Sequence, residues 1–87
     1  MDEYIEVFLE WSGEGEQDRA VRWLEARGLR TRPMRHGLLL TGTVQQIQDI
    51  FSTTLHDQPL PLHLPVPADL SASVASITVP APRSYHS

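Results

Sequence analysis

Cysteine is absent from the 87-residue chain, so disulfide bonds, thiolate metal ligands and a cysteine nucleophile are all excluded. Lysine is also absent, and arginine supplies all seven of the strongly basic side chains. No apolar run approaches the roughly 18 residues that a membrane-spanning helix needs. Residues 1–4 are acidic at two positions and lack the basic-then-apolar pattern of a secretory signal. We therefore expect one small domain with no membrane partner, cytoplasmic if the chain is complete and secreted if it is a fragment of a preproenzyme.

Catalytic and ligand-binding motifs are missing as well. The sequence has no G-x-S-x-G element, and the glycines at 13 and 15 stand among acids that would repel a phosphate group. Histidines occur at positions 36, 56, 63 and 86 without metal-ligand spacing. We expect no catalytic, cofactor-binding or metal-binding residues, and no enzymatic activity.

Charge is divided between two neighbouring segments. Residues 1–18 contain seven acids and no base, whereas residues 19–35 contain six of the seven arginines and one acid. The net charge of −4 argues against nucleic acid as a partner. Glu6 and Glu10 also alternate with the aromatics Tyr4 and Phe8, whereas a nucleic-acid module built on a four-stranded sheet would stack bases on such aromatics.

The stretch from residue 37 to residue 56 organises the rest of the chain. Three leucines, 38–40, predict a strand in the middle of a sheet, and Gly42 is interpreted as a turn after it. Thr43 is a good helix N-cap, and Gln46 three residues later completes a capping-box pattern. Apolar residues spaced from Val44 to Leu55 then predict an amphipathic helix that ends near residue 56.

Other elements follow in order around this stretch. Apolar side chains at every second position of residues 4–11 predict a half-buried strand. A helix follows, and Gly28 is predicted to end it. Residues 30–35 predict a poorer strand at a sheet edge, because Pro33 cannot donate a hydrogen bond. The pair at 36–37 is interpreted as a two-residue hairpin turn.

After the second helix, the proline-rich residues 57–67 predict an extended connector. One helical turn over 68–73 and a last strand over 74–79 complete the predicted set of elements.

This order predicts an α+β, ferredoxin-like βαββαβ fold with a four-stranded antiparallel sheet and two helices on one face. Residues 1–80 would form the single domain, and residues 81–87 would be a mobile tail. The sheet face opposite the helices would stay open, presenting Tyr4, Glu6, Phe8 and Glu10. This face is either an ordinary solvated surface or a protein-binding surface.

Residues 20–57, AVRWLEARGLRTRPMRHGLLLTGTVQQIQDIFSTTLHD, and residues 61–79, PLHLPVPADLSASVASITV, carry a family resemblance. Together they resemble the activation propeptide of the kumamolisin and sedolisin serine-carboxyl peptidases. The resemblance is a pattern of packing and turn residues, found at Val21, Trp23, Leu24, Gly28, Gly42, Thr43, Val44, Ile47, Phe51, Leu55, His56, Pro67, Leu70, Val74 and Ile77.

This resemblance implies a fold similar to that of subtilisin propeptides, and a zymogen-type function. Such domains assist the folding of their peptidase as intramolecular chaperones and inhibit it until they are removed. Their open sheet face docks on the enzyme, and a C-terminal extension enters the substrate cleft. Transferred to this chain, the extension would be the tail residues Arg83, Ser84, Tyr85, His86 and Ser87. The peptidase and the family's long linker are not in the sequence, so the chain is either an excised fragment or a stand-alone gene product, for which stand-alone relatives of subtilisin propeptides that inhibit peptidases are a precedent.

An alternative remains open beside the peptidase partner. The chain could be a small ferredoxin-like interaction or assembly module that forms a homodimer through its open sheet face or through an edge strand. A regulatory small-molecule domain is a third interpretation, but no residue pattern supplies its ligand site.

Overall fold

The structure, a computed structural model, describes residues 3–13, 15–55 and 58–80. Five strands form one antiparallel sheet: β1 (Tyr4–Trp11), β2 (Arg30–Pro33), β3 (Gly37–Thr43), β4 (Leu62–Leu64) and β5 (Val74–Val79). Their spatial order is β2-β3-β1-β5-β4. Two α-helices, α1 (Gln17–Glu25) and α2 (Val44–Phe51), and a short 3₁₀ turn (Ala68–Leu70) complete the described part. The architecture is therefore α+β, as predicted.

β1 is the central strand and divides the sheet into a buried and an exposed side. It pairs with β3 along its whole length up to Glu10 and with β5 over its second half. Val7 and Leu9 are buried, whereas Glu6 and Phe8 between them are exposed. This alternation follows from the two-residue period of a strand and confirms the predicted half-buried strand.

A single core lies between the buried side of the sheet and the helices. Ala20 and Leu24 of α1 and Ile47 and Phe51 of α2 are all at most 3% exposed. They pack with buried side chains of the sheet and its connections, namely Val7, Leu9, Leu29, Leu38, Leu40, Leu64, Leu70, Val74, Ile77 and Val79. Both helices therefore cover the side of the sheet from which Val7 and Leu9 project.

The end of α1 and the start of α2 each have a local cause in the sequence. Gly28, with φ of +91°, follows α1 in the left-handed conformation that glycine adopts at low cost. At the start of α2, Thr43 Oγ1 accepts from the backbone N–H of Gln46 at 3.1 Å, and Gln46 Oε1 accepts from that of Thr43 at 2.8 Å. This is the capping box that the sequence predicts.

The predicted four-stranded sheet is wrong in its number of strands. Leu62–Leu64 lies in the segment predicted as a connector and pairs with β5, with Leu62 opposite Val79 and Leu64 opposite Ile77. Prolines at 61 and 65 flank this strand, so its local sequence is typical of an irregular segment. Pairing with the distant β5, rather than local preference, makes it a strand.

The hairpin between β2 and β3 is shifted by one residue from the prediction. Pro33 lies opposite Leu38, and the backbone N–H of Met34 donates to the carbonyl of Gly37 at 2.8 Å. The turn residues are therefore Arg35 and His36, and Gly37 is the first residue of β3.

The predicted turn at Gly42 is also wrong, because β3 continues through Gly42 to Thr43, and α2 starts at the next residue. Gly42 has another use, since a Cβ there would lie 2.5 Å from Cδ2 of Leu29. The glycine thus makes room for a core leucine.

The second helix ends earlier than its apolar spacing predicts. α2 stops at Phe51, and Ser52 adopts the left-handed conformation with φ of 51°. Leu55 still packs partly buried against the core, but from the following loop. Its backbone N–H donates to Oε1 of Gln48 at 2.8 Å. A longer helix and a loop that folds back would both bring Leu55 to the core. The spacing of the apolar residues alone therefore could not distinguish the two structures.

Candidate protein-binding face

The side of the sheet opposite the core, called the open face below, carries the candidate site. Its central column is the outward side of β1, where Tyr4, Glu6, Phe8 and Glu10 are all exposed. Tyr4 is 70% exposed and Phe8 43%, which is unusual for aromatic side chains. The structure thus places all four predicted residues of this strand in contact with solvent on one surface.

A continuous row of side chains crosses the open face at the level of Phe8. Leu39 of β3 and Thr78 of β5 lie opposite Phe8, and Arg32 of β2 lies opposite Leu39. His63 of β4 lies opposite Thr78, and Thr78 Oγ1 is hydrogen-bonded to His63 Nδ1 at 3.1 Å. The row therefore runs from a cation at one edge, across an apolar centre, to a polar pair at the other edge.

A second row lies two residues along each strand. Thr41 of β3 lies between Glu6 of β1 and Arg30 of β2, opposite both. The open face consequently has a basic column on β2 and an acidic column on β1, with β3 between them. Sequence reasoning did not include Arg30 and Arg32 in the site, although the alternation of arginine in RTRP is the signal that could have placed both on one side of a strand.

An apolar hollow lies where the open face meets the hairpin. Phe8 and Met34 line it, and Met34 is 47% exposed. Its polar and charged lining residues are Glu10, Arg35, His36, Ser76 and Thr78. A partner side chain could lose its water here against Phe8 and Met34, which is how interface centres gain affinity.

Tail residues Arg83, Ser84, Tyr85, His86 and Ser87, predicted to share in binding, lie outside the described residues. β5, which precedes the tail, is a neighbour of β1 in the sheet. The C-terminal end of β5 thus lies beside the central column of the open face, with Thr78 opposite Phe8.

Within residues 3–13, 15–55 and 58–80, no three acidic or histidine side chains are grouped so that they could hold a metal ion. None of the helices in the same ranges is long and apolar enough to cross a membrane. The chemical features that the open face presents are its exposed aromatics and its two columns of opposite charge.

No family model matches the chain, and comparisons with curated proteins and with solved structures give no match. The resemblance to serine-carboxyl peptidase propeptides thus depends on the residues quoted above.

Proposed function

We propose that the chain is a propeptide-like domain that binds a serine peptidase of the serine-carboxyl or subtilisin type and inhibits it or assists its folding. The observation that supports this most is the open face, on which the exposed Tyr4 and Phe8 alternate with Glu6 and Glu10. The choice of a peptidase as partner comes from the packing pattern of residues 20–79. Absence of catalytic activity in the domain itself is part of the same proposal.

The fold proposed to support this function is a ferredoxin-like sheet extended by one edge strand. When β4 is set aside, the order of the others is β2-β3-β1-β5, and every neighbouring pair is antiparallel. A βαββαβ chain that forms such a sheet has its first strand in the centre and its second and last strands at the edges. Here β4 covers the edge of β5, next to the proposed exit of the tail.

Two regions would contact the peptidase in this proposal. Phe8 and Met34 would supply the desolvated centre of the interface, with the charged columns of β1 and β2 around it. The tail, Arg83 to Ser87, would continue from β5 into the substrate cleft as an extended segment. Binding would then combine a docking surface with a chain that blocks the active site.

Inhibition assays with the purified chain test this proposal. Wild-type protein is expected to inhibit a serine-carboxyl or subtilisin-type peptidase, whereas Phe8→Asp should weaken inhibition by at least about 30-fold. This change places a charge in the desolvated centre, and losses of 2 kcal/mol or more are typical of central aromatic contacts. Because Phe8 is 43% exposed, the variant should remain folded, which circular dichroism would check.

Two further variants are needed to interpret the inhibition assay, a control on α1 and a deletion of the tail. Arg19→Ala changes an exposed residue of α1 on the other side of the domain and should inhibit like wild type. Deleting residues 81–87 should weaken inhibition of peptide cleavage while leaving binding measurable. Inhibition by Phe8→Asp equal to that by wild type would exclude the open face, and unchanged inhibition without residues 81–87 would exclude the tail.

A further inference from the structure

Complementary groups lie on either side of β3 at matching levels of the open face. At the level of Thr41, Arg30 lies on one side and Glu6 on the other. At the level of Leu39, Arg32 lies on one side and Phe8 on the other. Neighbouring strands are about 4.8 Å apart, so each member of a pair is displaced from β3 by one strand spacing. The two arginines therefore lie on one side of β3, level with a carboxylate and an aromatic ring on its other side.

We propose that the open face binds a second copy of the chain, with a two-fold axis running along β3. A half-turn about such an axis lays β2 of one copy over β1 of the other and keeps every residue at its own level along the strands. Arg30 then meets Glu6 of the other copy, twice by symmetry, as an isologous interface requires. Arg32 lies over the ring of Phe8, where a cation–π contact can form.

The dimensions of stacked sheets agree with this pairing. Two sheets that pack face to face lie about 10 Å apart with nearly aligned strands. The long side chains of Arg30 and Glu6 can bridge that separation from opposite sheets. Along the axis itself, Leu39 meets its own counterpart and forms the apolar centre.

Other modes of self-association are less compatible with the described chain. The edge strand β2 contains Pro33, which has no N–H to donate to another strand. The opposite edge, β4, has only three residues and lies between Pro61 and Pro65. Short strands and prolines are the usual protection against edge-to-edge pairing. The sheet surface opposite the open face is already buried under α1 and α2, so it cannot pack on a second sheet.

The dimer and the complex with a peptidase would compete for the open face. This inference does not depend on the peptidase, because the dimer follows from the register of β1, β2 and β3. If both complexes form, the dimer must dissociate before the open face can dock on a peptidase. Self-association would thus limit the amount of free domain as its concentration rises.

Charge reversal on the full-length chain tests the dimer. Sedimentation equilibrium from about 1 µM to 1 mM would give the dissociation constant of the wild-type dimer, which should increase with salt. Arg30→Glu and Glu6→Arg should each raise that constant at least about tenfold, because both symmetric contacts become repulsive. A mixture of the two variants should form heterodimers with nearly wild-type affinity, since each altered residue then faces its opposite charge.

Arg19→Glu, the same change of charge on exposed α1, is the matched control and should not alter the constant. Circular dichroism establishes that each variant is folded, and the regained affinity of the mixture cannot result from misfolding. The inference is overturned if wild type is monomeric at every concentration, whether or not it inhibits a peptidase. It is also overturned if the variants dimerise like wild type, or if mixing them restores nothing.

Discussion

Replacing Phe51 with alanine is expected to lower the free energy of unfolding by about 3–5 kcal/mol, the usual cost of removing a buried phenylalanine. Phe51 is 1% exposed and is the last residue of α2. Helices as short as α2 are unstable alone in water, so its place on the sheet depends on such anchoring side chains. A domain of this size has a total stability of roughly 5–10 kcal/mol, so the variant would lose a large share of it. Urea unfolding followed by circular dichroism measures the change.

Gln45→Ala is the matched control for Phe51→Ala. Gln45 is exposed on the same helix, and its side chain donates to Oδ1 of Asp49 at 2.8 Å. Its loss should cost about 0.5 kcal/mol or less. Equal effects of the two variants would contradict the description of α2 as a helix stabilised by packing of its buried side chains.

Gly37→Ala should cost about 3 kcal/mol or more, although alanine is otherwise a conservative substitution. A Cβ at position 37 would overlap the carbonyl oxygen of Leu9 and lie 3.2 Å from Cα of Glu10. Both are backbone atoms of the central strand, so β1 and β3 would have to separate locally. Overpacking of this kind typically costs 1–3 kcal/mol, and here main-chain pairing is disturbed as well. Urea unfolding followed by circular dichroism measures this loss in the free energy of unfolding.

Gly13→Ala distinguishes this steric effect from backbone strain. Gly13 has φ of +90°, which an alanine tolerates poorly, but no atom of the described residues beyond its chain neighbours lies within 4 Å of a Cβ built there. Its replacement should cost about 1 kcal/mol, from the left-handed conformation alone. If Gly13→Ala proved the more damaging variant, the close approach of β1 to Gly37 would be refuted.

Local patterns predicted the elements whose causes are local. The alternation from Tyr4 to Trp11 and the apolar residues of 74–79 are sufficient to define β1 and β5. The capping box depends on two side chains three residues apart, Thr43 and Gln46, and the structure forms both of its hydrogen bonds. Gly28 likewise ends α1 through its own backbone freedom.

Features that depend on distant pairing were not predictable in the same way. β4 exists because residues 62–64 meet β5, and the prolines around them favour an irregular segment when taken alone. Leu55 keeps helical spacing although the helix has already ended at Phe51. The hairpin position is determined by the pairing of Pro33 with Leu38, which composition does not reveal.

The candidate site was predictable only in part, because some of its residues share one strand and others meet them only through strand pairing. Alternation within β1 placed Tyr4, Glu6, Phe8 and Glu10 on one side of their own strand. That Arg30 and Arg32 share the open face, and lie level with Glu6 and Phe8, depends on the register of three strands. Charge complementarity across β3 is therefore a property of the folded sheet.

Chemical-shift mapping tests most directly whether the open face is the interaction surface. Amide signals of the ¹⁵N-labelled chain would be followed while its own concentration is raised and, separately, while a peptidase is added. The largest shifts are expected at Glu6, Phe8 and Leu39, with little change at Arg19 and Arg22 of α1. Shifts concentrated on α1, with the open face unchanged in both titrations, would contradict the account.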